Sequence, residues 1–157
     1  MQHHKILRPL VSVALCSTLG IALLGASNDA ANPADTQFTQ QAMQLLLQSV
    51  SNANPAEADG NDGVKTLATS VQSDEVTIGS QLASIASYYG IKVATDAPKP
   101  SCTASDYAAD QAKALSQLVA LFQAEQTAGG GAQLRSLAAE SLPVLEKDLS
   151  AAQKAQS

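Results

Sequence analysis

Two carboxylates interrupt apolar helix faces in this chain. Glu75 follows Val71 by four residues and precedes Ile78 by three, and Asp148 follows Leu145 by three. Residues three and four apart share one face of a helix, so both carboxylates lean toward an interior. Ser49, four after Leu45, and Gln111, on the stripe that runs from Tyr107 to Leu115, place neutral oxygens on two further faces. Carboxylates joined by neutral oxygens suit a hard divalent metal, and two carboxylates brought close together share a proton. The plainer expectation is that Glu75 and Asp148 lie at the stripe margins and reach solvent, because unpaired charge is rarely buried. On that expectation the chain carries no cofactor.

The rest of the inventory excludes most catalysis. The two histidines, His3 and His4, stand at the extreme N-terminus, ahead of an uncharged run. A chain that loses that terminus has no imidazole for nucleophile activation, proton transfer or metal ligation. There is no CxxC and no Ser-x-x-Lys, and Gly129-Gly130-Gly131 lacks the Lys and Ser/Thr of a phosphate-binding loop. Beyond the leader, seven basic residues face fourteen acidic ones, a net charge of −7. With aromatic residues at 3%, neither the charge nor the stacking surface for nucleic acid is present. The expected class is non-enzymatic.

The N-terminus reads as an export leader. Lys5 and Arg8 precede the uncharged stretch Leu10 to Ala26, and small residues suited to cleavage fall between Ala26 and Ala31. Residues 1–26 are therefore assigned as a signal peptide, 27–35 as a flexible segment and 36–157 as the folded domain. The destination is the periplasm or the outer membrane, where the partner would be another envelope protein. No later segment is long and apolar enough to span a membrane. Removal of Cys16 leaves Cys102 as a lone thiol in an oxidising compartment, either an incidental free thiol or the link of a disulfide-bonded homodimer.

Four segments of helical periodicity must position these residues. The first runs from about Thr36 to Ser51 and carries Phe38, Ala42, Leu45 and Leu46; a polar loop is expected over Asn52–Gly63. The second, about Val64 to Tyr89, carries Val64, Leu67, Val71, Ile78, Leu82, Ile85 and Tyr89, with Gly90 as its stop. The third is expected to open on a capping box from Thr103 to Asp106 and carries Tyr107, Leu115, Leu118 and Phe122. The fourth, about Ala132 to Ala155, carries Leu134, Leu137, Leu142, Leu145, Leu149 and Ala152, with Pro143 inside it. An all-α, up-and-down four-helix bundle is the economical arrangement.

Over Phe38 to Gln153 the chain resembles the ferritin-like "domain of unknown function 4142" family. The resemblance rests on Tyr107 to Phe122, on Leu142-Pro143-Val144-Leu145, and on the spacing of Leu67 to Leu82. It implies a ferritin-like bundle of the cell envelope without an agreed activity. The family pattern has histidine where this chain has Glu75, Leu115 and Asp148. The resemblance therefore implies a bundle that lacks its relatives' nitrogen donors and retains, at most, an oxygen site on Glu75 and Asp148.

Overall fold

A computed structural model describes residues 31–156, so the leader assignment lies outside the described residues. The chain forms four helices: α1 (Pro33–Asp59), α2 (Asp62–Tyr88), α3 (Tyr107–Ala128) and α4 (Ala132–Lys154). The all-α four-helix bundle expected from the stripes is what they build. Phe38, Val71, Ile78, Leu82, Leu115, Leu118, Phe122, Leu134 and Leu145 are buried, and Phe38 meets Phe122 edge to face with centroids 5.1 Å apart. Leu45, Ile85, Tyr89 and Leu149 flank that core, half-buried.

Helix α1 starts before Thr36, so residues 33–35 belong to the bundle and not to a flexible segment. Asn32 caps it: its side chain accepts from the Asp35 N–H at 2.9 Å, and Asp35 accepts from the Asn32 N–H at 2.6 Å. Pro33 at the first helical position loses nothing, because its missing N–H would have had no partner there.

At its other end α1 runs through the expected polar loop to Asp59, with Pro55 inside the helix. Asn52, which reads as a turn former, and Ser51 beside it are committed elsewhere. Asn52 accepts from the Ser101 N–H at 2.7 Å and from Gln48 at 2.9 Å, and Ser51 donates to the Pro98 carbonyl at 2.7 Å. Ala53 and Ala56 are fully buried. These tertiary bonds outweigh the turn propensity and the backbone bond that Pro55 cannot make.

Helix α2 ends as expected. Gly90 takes φ 69°, and the Ile91 N–H donates to the Ala86 carbonyl at 2.8 Å. Glycine carries no Cβ penalty in that left-handed conformation. The capping box at Thr103 does not form. Thr103 donates to the Asp106 side chain at 2.6 Å, and α3 begins only at Tyr107, the first fully buried side chain of the segment.

The connection from α2 to α3 is a long crossover. Residues 92–101 follow α1 from Gln40 to Asn52, held by Gln40 on the Lys92 carbonyl and Gln48 on the Lys99 carbonyl. The crossover returns the chain to the end where α2 began, so α2 and α3 run the same way. They face each other across a diagonal, while α1 and α4 each pack on both of them. Directions alternate around the bundle, and every adjacent pair is antiparallel. Along the chain the order is up, down, down, up, which corrects the up-and-down order expected from the sequence: the long crossover reverses it. No helix among the described residues is long and apolar enough to cross a membrane.

Candidate functional site

About two-thirds of the way down α1, a polar layer crosses the core. Each helix supplies one member: Ser49 from α1, Glu75 from α2, Gln111 from α3 and Asp148 from α4, each about 1% exposed. The expectation that Glu75 and Asp148 reach solvent is therefore corrected. Helical spacing aims them inward, and the antiparallel arrangement brings them to one level.

Hydrogen bonds link the layer in one direction. Ser49 donates to Gln111 Oε1 at 2.7 Å, and Gln111 Nε2 donates to Glu75 Oε1 at 2.9 Å. One amide thereby ties α1, α3 and α2 together. Burial pushes the Glu75 carboxyl up to about 8, partly offset by Ser49 and Gln111 and reinforced by the charges of Asp148 and Asp74. Asp148 rises to about 6, again mainly through burial and then through Asp74, against the pull of Lys147. Lys147 lies 3.6 Å from Asp148 Oδ1 and 3.2 Å from Asp74 Oδ2, at the surface. Near neutral pH the layer thus holds a neutral acid beside a largely ionised one, as environments that separate two carboxyls do.

Tyr107 sits one turn before Gln111 and is fully buried, and its hydroxyl pKa is driven upward by burial and by the Glu75 charge. The apolar stripe predicts its burial; nothing in the spacing predicts a polar group facing the layer. Among the described residues, no group of three or more His, Cys, Asp or Glu is arranged to hold a metal ion.

A second constellation, which the helical spacing does not predict, closes the opposite end. Asp35 is fully buried and accepts from the Gly130 N–H at 2.7 Å and the Gly131 N–H at 3.0 Å, as well as from Asn32. Burial alone would raise this carboxyl. The bonds from Asn32, Gly130, Glu125 and Gly131 outweigh burial and hold it below its usual value. Glu125 is correspondingly raised to about 7, first by burial and then by the charge of Asp35 and a side-chain hydrogen bond with it. The glycines permit the approach: a Cβ on Gly130 would meet Asn32 Nδ2 at 2.5 Å. The Asn32-Pro33-Ala34-Asp35 pattern announces a capping box, but nothing local announces a partner 95 residues away.

Cys102 lies half-buried on the crossover, against the core edge. Burial, then the charges of Asp110 and Asp106, push its thiol up to about 11. At pH 8 such a thiol carries roughly 100-fold less thiolate than an ordinary cysteine. The native chain is therefore expected to react with iodoacetamide at least tenfold more slowly than the urea-unfolded chain, followed by mass spectrometry. Equal rates would show that the thiol is open. Comparison of the chain with protein-family models, with curated proteins and with solved structures finds no match to any of them.

Proposed function

We propose that this chain is an exported four-helix bundle of the cell envelope that serves as a structural or interaction module and not as an enzyme. The sealed polar layer carries this reading. Ser49, Gln111, Glu75 and Asp148 are about 1% exposed, and the first three are committed to one another, so the groups able to do chemistry are closed to a substrate. A ferritin-like ancestry and membership of the "domain of unknown function 4142" family fit the single long crossover, a connectivity that ferritin-like bundles use. Fold alone says nothing of activity.

The second reading is a metal-binding bundle with carboxylate ligands. It is favoured by one observation: Glu75 Oε2 and Asp148 Oδ2 lack hydrogen-bond partners among the described residues. Elemental analysis of the tag-free protein, alongside a Glu75→Gln, Asp148→Asn variant, separates the two. The structural reading expects no metal above background in either. Stoichiometric metal in the parent, lost in the variant, would overturn it. Mass spectrometry of the same sample tests export, with a terminus expected between residues 26 and 31.

A further inference from the structure

A surface groove runs between the antiparallel helices α1 and α3. Half-buried Leu45 and Leu121 form its floor, and Gln41, Gln44, Gln48 and Gln117 form its rims. It continues toward the Asp35 end past Gln37, with Gln41 and Leu121 common to both stretches. On α1 the rim is set by spacing: Gln37, Gln41, Gln44 and Gln48 recur in steps of four, three and four, on one face of the helix. Gln37 to Gln48 covers about 17 Å of helix axis. No charged side chain lines the stretch from Gln41 to Gln48. Helix α1 has no charged residue from Thr36 to Ala56, and α3 has none from Ala114 to Ala124. Glu125, beneath the end near Asp35, is buried. Three other surface grooves each include a carboxyl, from Asp59, Glu140 or Glu75.

We propose that a second copy of this chain seats on the α1–α3 groove, glutamine rim against glutamine rim, to form a noncovalent twofold dimer. Charge selects this occupant. Beyond the leader the chain carries a net charge of −7, and such an excess keeps copies apart wherever carboxylates face each other. At this groove two copies meet with no carboxylate set against another. A partner that docked through charged side chains would find no counter-charge here and would leave its own charges desolvated. Glutamine is its own complement, because one amide offers an oxygen acceptor and two N–H donors. In a twofold contact a patch meets its own image, so a rim of glutamines pairs with itself. Among the described residues, no group of the chain engages the amides of Gln41, Gln44 and Gln117; Gln48 is spent on Asn52 and Lys99. A patch about 17 Å long and about 20 Å, two helices, wide falls short of the roughly 800 Å² that each partner gives to a stable complex. The dimer is therefore weak and reversible. This partner rests on the reading of the chain as an interaction module and gives that reading its first named contact.

Sedimentation velocity of the protein as recovered from the producing cells, from about 5 µM to about 1 mM, spans the range of a weak dimer. The sedimentation coefficient is expected to climb from the monomer value toward the dimer value, unchanged by dithiothreitol or by Cys102→Ser. A Gln41→Glu, Gln44→Glu variant places like charges across the twofold and is expected to weaken association about tenfold or more. A Gln41→Lys, Gln44→Lys variant behaves the same, an equal mixture of the two associates again, and Gln81→Glu on α2 changes nothing. A monomer at every concentration, which leaves the groove to a different protein, would overturn the proposal. So would an association that reduction abolishes, one that survives both double variants, or a mixture that stays monomeric. Should a double variant lose its helical circular dichroism, dilution of the wild type decides. The side-chain amide resonances of Gln41, Gln44 and Gln117 are expected to shift with concentration, and shifts confined to other faces would overturn the dimer. A monomer defeats this inference alone; stoichiometric metal lost in the Glu75→Gln, Asp148→Asn variant defeats the proposed function and leaves the dimer as measured.

Discussion

Replacing Glu75 with Gln is expected to raise the melting temperature at pH 8 by roughly 5–15 °C and to flatten its dependence on pH. The folded chain keeps the Glu75 proton up to about pH 8, while the unfolded chain releases it near 4.5. Between those values the folded state binds more protons, so stability falls as pH rises through the window. The gap between the two values corresponds to a penalty on the order of 3–5 kcal/mol above pH 8. Asp148 adds a smaller loss up to about pH 6, and Glu125 another up to about 7. Glutamine keeps an oxygen for the Gln111 amide and cannot ionise, so it removes the largest of the three losses. Thermal scans at pH 5, 6, 7 and 8 measure this. A variant that melts below wild type at pH 8, or a wild type as stable at pH 8 as at pH 5, would contradict the placement of a neutral acid in the core.

Asp35→Ala is expected to destabilise the bundle by about 3–5 kcal/mol in urea denaturation at pH 7. The carboxylate accepts from the N–H groups of Asn32, Gly130 and Gly131, and its loss leaves those donors without a partner at a buried site. Its pH signature runs opposite to that of Glu75. Asp35 is held below its usual value, so its contribution is present above pH 3.8 and is lost as pH falls further. The two effects together place maximum stability near pH 4–5. Hydrogen exchange of Gly130 and Gly131 gives a local readout, with both amides expected to lose protection in the variant. A loss below about 1 kcal/mol would mean that the cap, and not the contact with α4's approach, is all that Asp35 provides.

The inward stripes are legible because each helix is amphipathic enough for three-and-four spacing to mark its buried face. The same spacing marks Glu75, Asp148, Ser49 and Gln111 as one polar residue per helix. What spacing does not carry is the order of helices around the bundle, and hence which of these residues meet. The Asn52–Asp59 segment is illegible for a different reason. Its Asn and Pro residues argue locally against helix, and the bonds that hold the segment come from Pro98 and Ser101, nearly fifty residues on. Thr103 shows the converse, a cap pattern with correct spacing that loses to the burial of Tyr107. Asp35 combines both situations: its cap can be read, and its contact with Gly130 cannot.

The crossover is longer than its task requires. Eighteen residues, 89–106, reach roughly 60 Å when extended, whereas the 27-residue α2 that they run back along is about 40 Å long. The excess is taken up along α1 by the bonds at Lys92, Pro98, Lys99 and Ser101, so the length of the tether alone does not dictate how far α3 slides along α1. Register falls to two fixed points instead, the Asp35 clamp at one end and the amide of Gln111 between Ser49 and Glu75 farther down. The molecule behaves as two hairpins keyed together at two heights, and the exposed Ala94–Ala97 stretch, between the anchored carbonyls of Lys92 and Pro98, is the part of the chain whose length matters least.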